Sequence, residues 1–193
     1  MSRVLTYPVV NTDITFNELP DKMAYAIELG ACKQHCVGCH SPELQEEDVA
    51  LTSLLDILEG AQDAIDAGAN AIVVMGGTNN KHITDESLID LLRDLSFIAP
   101  TGLYSGSDDE DHDKMIAVEG QCTWLKTGPY VESLGGLESP RTNQCFYYIS
   151  QSYRLDKNDS VMCVRPCFLD ETHKFWKKVK NVTYNGPLVK TTF

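Results

Sequence analysis

Three cysteines within eight residues, Cys32, Cys36 and Cys39, are the feature that most constrains this chain. They form a C-x3-C-x2-C pattern directly after residues 23–30, an apolar run with the length of one strand. Three thiolates on one short loop can face a common centre the size of an iron–sulfur cluster. A cubane cluster has four irons, so three cysteine ligands leave one iron open to a substrate or cofactor. The pattern therefore predicts a strand followed by a loop that is built around a metal centre.

A structural zinc site is the main alternative for this loop, with His35 or His40 as the fourth ligand. Zinc loops more often use C-x2-C pairs, and the second pair normally lies in another hairpin. The observed spacing, together with its place after a first parallel strand, favours an iron–sulfur cluster. We therefore expect Cys32, Cys36 and Cys39 as the metal ligands and both histidines as loop residues outside the ligand set.

Length and charge exclude several classes of protein. The chain has 193 residues, enough for one domain with a substantial core. Its net charge of −12 argues against a nucleic-acid backbone as the main partner, because phosphate binding needs a basic footprint. No apolar run approaches the roughly 20 residues that cross a bilayer, and the first residues lack the apolar segment of a signal peptide. We expect a cytoplasmic protein that binds neither nucleic acid nor a membrane.

Two stretches of the chain have helical periodicity. In residues 51–67, apolar side chains recur at helical spacing, and we expect this face to be buried. Its members are Leu51, Leu54, Leu55, Leu58, Ala61 and Ile65. A second helix is predicted from Thr84, a suitable N-cap that is followed by two acidic residues. Its apolar face consists of Leu88, Leu91, Leu92 and Leu95.

Apolar runs of strand length alternate with these helices. Residues 71–75 read AIVVM, which is typical of a parallel strand covered on both faces. Further strands are predicted at residues 102–105 and 121–126. Strands that alternate with helices imply right-handed βαβ units and a mainly parallel sheet. The predicted fold class is therefore α/β, as a partial, open βα barrel or an open sheet.

The alternation stops near residue 144. We expect strands at 145–150 and 161–164 and a short basic helix at 172–180. The chain is accordingly divided into a domain at residues 1–150 and a C-terminal extension at residues 151–193, whose role the sequence does not indicate.

A glycine pair, Gly76-Gly77, follows the predicted strand at residues 71–75. Glycines at the C-terminal end of a parallel strand let a ligand approach the backbone closely. Most such pairs are only turns, so the pair alone is weak evidence. Its position one βα unit after the cysteine loop gives it more weight.

The cysteine spacing resembles that of the radical S-adenosylmethionine (SAM) superfamily, in which a Gly-Gly-acid motif follows the cluster loop. The chain is more specifically similar, over about residues 10–150, to the activating proteins of anaerobic ribonucleoside-triphosphate reductase. The similarity is carried by five segments in order. They are GCHSPE at 38–43, YSG at 104–106, KTGPYVE at 126–132, LGGL at 134–137 and TNQ at 142–144.

This resemblance implies a [4Fe-4S] cluster held by the three cysteines and a SAM molecule bound at its open iron. A one-electron reductant such as a flavodoxin reduces the cluster, and SAM is cleaved to methionine and a 5′-deoxyadenosyl radical. The radical then removes a hydrogen atom from a glycine in a loop of the reductase large subunit. The residues that the resemblance assigns to the SAM site are His40, Gly76, Gly77, Thr78 and Ser105.

The chain departs from the family at one motif position: Thr78 stands where an acid usually follows the glycine pair. Gly38 stands where many radical SAM proteins have an aromatic residue before the last cluster cysteine, and this activase family also shows that variant. Residues 151–193 have little counterpart in the family. There, Cys163 and Cys167 repeat the C-x3-C spacing, either as thiols without a ligand role or as an auxiliary metal or redox pair.

Three other functions remain open at this point. The chain could activate a different glycyl radical enzyme, or it could modify a small molecule as other short radical SAM proteins do. A non-enzymatic alternative is an interaction module that is stabilised by zinc.

Overall fold

The structure is a computed structural model that describes residues 5–150, 153–155, 161–163, 166–176 and 190–191. Its strands are β1 (Thr6–Tyr7), β2 (Val9–Thr15), β3 (Ala24–Leu29), β4 (Thr52–Ser53), β5 (Ala71–Met75), β6 (Thr101–Tyr104), β7 (Trp124–Thr127), β8 (Cys145–Ser150), β9 (Tyr153–Leu155), β10 (Val161–Cys163), β11 (Cys167–Asp170) and β12 (Lys190–Thr191). The α-helices are α1 (Leu54–Asp66), α2 (Asp85–Ser96) and α3 (Glu110–Glu119), and 3-10 helices lie at Pro42–Gln45 and Thr172–Phe175.

Eight strands form one sheet in the order β12-β11-β8-β7-β6-β5-β3-β2. Strands β3, β5, β6 and β7 are parallel, and all other neighbours in this sheet are antiparallel. The parallel strands follow one another in sequence order and are joined by α1, α2 and α3. Right-handed crossovers in a constant direction put successive helices on one face of a sheet. The predicted α/β class is confirmed, as a mixed sheet with a parallel centre that is not closed into a barrel.

The sheet separates two apolar layers because side chains alternate along each strand. In β5, Ile72 and Val74 belong to the cluster beneath the helices, whereas Ala71, Val73 and Met75 belong to a second cluster on the opposite face. The run AIVVM is therefore covered on both faces, as the sequence predicts. The second face has no α-helix among the described residues, and it is the face on which the site lies.

Helix α2 matches its prediction. Thr84 is the N-cap, and its hydroxyl accepts a hydrogen bond from the backbone N–H of Ser87. The Ser87 hydroxyl in turn accepts from the backbone N–H of Thr84, which completes a capping box. All four predicted leucines are fully buried: Leu88, Leu91, Leu92 and Leu95.

The predicted apolar face of the first helix is partly wrong. Leu51 and Leu55 are 61% and 64% exposed, whereas Ile57, which the periodicity omitted, is only 5% exposed. Helix α1 begins at Leu54 with Ser53 as its N-cap, so Leu51 precedes the helix and does not share its face. The remaining predicted members are Ala61, which is buried, and Leu54, Leu58 and Ile65, which pack partly buried against the core.

The strand predicted at residues 121–126 begins later, at Trp124. The reason is the end of α3, where the N–H of Gln121 donates to the carbonyl of Val118 and the N–H of Cys122 donates to the carbonyl of Ala117. These bonds use the first predicted strand residues to terminate the helix. Cys122 is buried, as expected for a small apolar side chain, and burial raises the pKa of its thiol.

Part of the C-terminal extension belongs to the main sheet. Strand β11 pairs with β8 in antiparallel register, with Phe168 opposite Ile149. The predicted strand at 161–164 is observed as β10, without Val164, which lies outside the described residues. The basic helix predicted at 172–180 is a 3-10 helix at Thr172–Phe175, and residues 177–180 also lie outside. The domain boundary at residue 150 stays a prediction.

Within the described part of the chain, every helix is too short or too polar to cross a membrane.

We predict that Leu92→Ala lowers the free energy of unfolding by about 2–5 kcal/mol, because it leaves a cavity in the helix-side core. The matched control is Leu55→Ala, which makes the same change at an exposed position and should cost less than about 0.5 kcal/mol. Urea titration of the two variants measures both values, and equal losses would contradict the assignment of the buried face.

Candidate functional site

A cavity of about 630 Å³ lies on the open face of the sheet, at the C-terminal ends of the parallel strands. Ligands in α/β folds commonly bind at this edge. Cys32, Cys36 and Cys39 line one part of the cavity. Four of the other predicted site residues also line it: His40, Gly76, Thr78 and Ser105.

The cysteine loop bends sharply, and all three of its cysteines line the cavity. Ala31, His35 and Gly38 all have positive φ, at 64°, 44° and 70°. The three cysteines are partly exposed and form no disulfide. Thiolates are the donors that iron–sulfur clusters and zinc both prefer, so the donor type fits either group. Within the described ranges, no three Cys, His, Asp or Glu side chains are grouped so as to hold a single metal ion.

Hydrogen bonds from the loop after β5 hold the cysteine loop in position. Cys32 and Asn80 form an antiparallel bridge, and the N–H of Lys33 donates to the carbonyl of Asn79 at 3.0 Å. The buried amide of Asn80 donates to the carbonyls of Gly30 and Gly76, at 2.7 and 2.8 Å. Sequence reasoning missed Asn80, although it lies three residues beyond the glycine pair. Its contacts set where the first cysteine sits relative to β5.

The two glycines of the pair have different roles. Gly76 lines the cavity with φ of 79°, and a Cβ atom there would lie 2.2 Å from the carbonyl oxygen of Leu29. Gly77 is not among the cavity-lining residues, and a Cβ atom on it would lie 2.6 Å from the side chain of Leu88 on α2. The close approach of β3 and the positive φ thus require glycine at position 76, and the close approach of α2 requires it at position 77. Only Gly76 also offers its backbone to a ligand.

Thr78 and Ser105 belong to a buried polar network beneath the cavity. The hydroxyl of Thr78 donates to Oγ of Ser105 at 2.7 Å, and the hydroxyl of Thr127 donates to the carboxylate of Asp113 at 2.6 Å. Burial raises the pKa of Asp113, and hydrogen bonds to Thr127 and Ser105 act in the opposite direction. The network connects the ends of β5, β6 and β7 to α3 and so makes the floor of the site rigid.

Lys126 is a cationic cavity residue that sequence reasoning did not identify as part of the site. Its ammonium donates to the carbonyls of Ser105 and Gly128, at 3.2 and 3.1 Å. Burial lowers its pKa to about 8, and the nearby groups of Cys36 and Cys39 act against this shift. At pH 7 it is therefore a positive charge beside the cysteine loop. In the sequence, the only signal for Lys126 is its place in the KTGPYVE segment of the family resemblance.

His40 lies on the rim of the cavity, where its ring meets the ring of Tyr130 edge to face, with centroids 4.9 Å apart. Across the cavity, the hydroxyl of Tyr104 donates to the backbone carbonyl of Glu18. These contacts hold the loops after β2 and β7 over the open face of the sheet. His40 is thus placed to contact a ligand through its ring.

Glu28, near the end of β3, is a buried acid on the same face of the sheet. Burial, the hydrogen bond and charge of Glu43, and the charge of Glu18 raise its pKa to about 7, while a hydrogen bond from Asn11 lowers it. Its Oε2 atom has no hydrogen-bond partner among the described residues. The open face of the sheet therefore carries, outside the lining of the cavity, a carboxyl group that is costly to ionise.

No protein-family model, curated protein or solved structure matches the chain significantly. The family resemblance of the sequence therefore stays a hypothesis. Any function has to be inferred from the geometry of the cavity and from its side chains.

We predict that Glu28→Gln stabilises the metal-free protein relative to wild type as pH rises. The pKa of Glu28 is raised from 4.5 to about 7, so between these values the folded state binds more protons than the unfolded state. Wild type therefore loses stability across this window, whereas glutamine does not titrate. The difference in melting temperature should grow from pH 4.5 to pH 7 and change little above it.

The matched control for this change is Glu59→Gln, at an exposed position on α1. It should give a melting curve whose pH dependence follows wild type. If Glu28→Gln also follows wild type at every pH, Glu28 is not a buried titrating group.

Proposed function

We propose that this chain is a radical SAM activase that generates the glycyl radical of an anaerobic ribonucleoside-triphosphate reductase. The observation that carries the proposal is that Cys32, Cys36 and Cys39 line one cavity together with Gly76 and Lys126. Soft thiol donors, an accessible backbone edge and a half-buried cation are the groups that a cluster and an amino-acid cosubstrate require together.

The three cysteines would hold the [4Fe-4S] cluster. Burial raises the pKa of Cys32, and the charge of Lys126 opposes that shift, so the lysine favours the thiolate form needed for metal binding. A bound and reduced cluster would supply the one electron needed to cleave the S–C5′ bond of SAM, with methionine and a 5′-deoxyadenosyl radical as the products. The protein's own part is to hold and orient the reactants.

Lys126 and the end of β5 would bind the methionyl part of SAM. The ammonium of Lys126 can pair with the carboxylate, an interaction strengthened by low solvent access. The carbonyl of Gly76 accepts one bond from Asn80 and retains a second lone pair for the amino group of SAM. The hydroxyl of Thr78 donates to Ser105, so its oxygen is oriented to accept a bond. The carbonyl of Gly76 and the hydroxyl of Thr78 would thus bind the amino group of SAM in place of the acid that usually follows the glycine pair.

The open face of the sheet leaves room for a second substrate. A primary carbon radical removes hydrogen atoms from nearby C–H bonds. Water and all side chains other than the substrate's therefore have to be kept away from the radical. A glycine loop of the partner reductase would fill the space and give one hydrogen atom to C5′, which yields 5′-deoxyadenosine and a glycyl radical. A flavodoxin-like one-electron donor would supply the reducing equivalent.

We predict that Cys36→Ala abolishes iron binding and SAM cleavage while the far-ultraviolet circular dichroism stays near that of wild type. Wild type purified without oxygen should hold about four irons per chain and form 5′-deoxyadenosine with dithionite and SAM. The alanine variant should contain no bound iron, because two of the three cysteine ligands do not suffice to hold the cluster.

Cys163→Ala is the matched control, and it should retain iron and cleavage. Wild-type iron content in Cys36→Ala would refute the proposed cluster ligands. Zinc in place of iron in the wild type, with SAM intact, would support the interaction-module alternative.

We predict that Lys126→Met weakens SAM binding by roughly 10–100-fold, as expected for the loss of one charge-assisted hydrogen bond. Equilibrium dialysis of the cluster-loaded protein measures this dissociation constant. Lys81→Met is the control, because its side chain forms an exposed pair with Glu47 and does not line the cavity. Unchanged SAM affinity in Lys126→Met would remove the lysine from the cosubstrate site.

A further inference from the structure

Part of the C-terminal extension lines the same cavity as the cysteines. Phe175, in the 3-10 helix at Thr172–Phe175, is a lining residue although the sequence resemblance ends near residue 150. Its ring meets Phe146 of β8 at a centroid distance of 4.8 Å and an interplanar angle of 66°. The C-terminal extension thus contacts both the cavity and the second apolar cluster next to it.

This segment is anchored at several points to the sheet. Strand β11 pairs with β8, and Phe168 is buried in the helix-side core. The hydroxyl oxygen of Thr172 accepts from the N–H of Phe146 at 2.8 Å, and the N–H of Glu171 donates to the carbonyl of Phe146 at 2.8 Å. Residues 171–175 therefore contact Phe146 twice: they form hydrogen bonds with its backbone, and Phe175 packs against its ring. Phe175 is held in a fixed position before any ligand arrives.

The cavity has a polar end and an apolar end. The polar end runs from the cysteines and Thr78, after β3 and β5, to Lys126 at the end of β7, and it matches the charged cosubstrate. Phe175 lies beside β8, three positions from β5 in the sheet order, which corresponds to roughly 14 Å at about 4.8 Å per strand. There Phe175 and Leu137 present apolar surface to the cavity, and both belong with Phe146 to the second apolar cluster.

We propose that Phe175 is a specificity-determining wall against which the second substrate, an uncharged glycine-containing peptide segment, packs beside SAM. This inference rests on the proposed function. A flat aromatic surface accommodates a backbone without a side chain, whereas the polar end of the cavity is already assigned to the cosubstrate. The C-terminal extension thereby sets the position of the glycine Cα–H bond relative to C5′.

The first test is hydrogen exchange on the full-length, cluster-loaded wild type. The probe is a synthetic peptide that carries the glycine segment of an anaerobic ribonucleoside-triphosphate reductase, added with S-adenosylhomocysteine. Amides at residues 171–176 should exchange more slowly with the peptide present, and those of α1, on the other face of the sheet, should not change. Absence of protection at residues 171–176 would overturn the proposal.

The second test compares Phe175→Ala with Phe175→Leu, which keeps an apolar wall and guards against a folding defect. Phe97→Ala is the matched control, because Phe97 is an exposed aromatic residue outside the cavity. Displacement of a reacting group by about 1 Å can cost on the order of 100-fold in rate. In Phe175→Ala the ratio of 5′-deoxyadenosine to glycyl radical should therefore rise roughly tenfold or more, with iron content and SAM affinity retained.

Phe175→Leu should lie between wild type and Phe175→Ala in this ratio, and Phe97→Ala should equal wild type. A wild-type ratio in a folded Phe175→Ala variant would refute the wall, even where cleavage itself proceeds. Absence of 5′-deoxyadenosine from wild type would instead refute the proposed function. The two failures are thus distinguishable.

Discussion

The parallel pairing of β3, β5, β6 and β7 is the constraint on which the rest of the structure depends. Their alternating side chains bury one face under α1, α2 and α3, and the C-terminal ends of all four strands lie at one edge. Loops that are distant in sequence therefore meet there. The cysteine loop, the glycine pair and Lys126 come together because each follows, or ends, one of these strands. Without this pairing, none of the three would share a cavity.

Ionisable groups that are buried or half-buried near the C-terminal ends of the parallel strands carry a free-energy cost that the rest of the fold must offset. Glu28 and Asp113 are buried and Lys126 is half-buried, and desolvation is the largest cause of each pKa shift. Burying an ionisable group without full compensation destabilises a fold. Sites of catalysis and ligand binding commonly concentrate such groups. Their presence at one edge of an otherwise apolar sheet agrees with a binding function for that edge.

The helices differ in how well their buried faces could be predicted. The leucines of α2 all lie within one helix that begins at a clear N-cap, so periodicity alone identified the buried face. In the first helical stretch, the chain forms β4 before α1 begins at Leu54, and the true face includes Ile57. Periodicity assumes one continuous helix. Because β4 precedes α1, the spacing between Leu51 and Leu55 is not helical. Neither side chain lies on the buried face of α1, and both are exposed.

The sequence by itself determined several local features: the cysteine loop, the AIVVM strand, the N-cap of α2 at Thr84 and the alternation of parallel strands with helices. Each depends on residues that are near neighbours in the chain, where spacing and propensity are sufficient. Only the tertiary structure decided that Asn80 clamps the cysteine loop, that Gly77 packs against α2 rather than the cavity, and that Phe175 lines the site. These contacts join residues far apart in sequence. They exist because strand order and register bring particular loops to one edge, which local patterns do not encode.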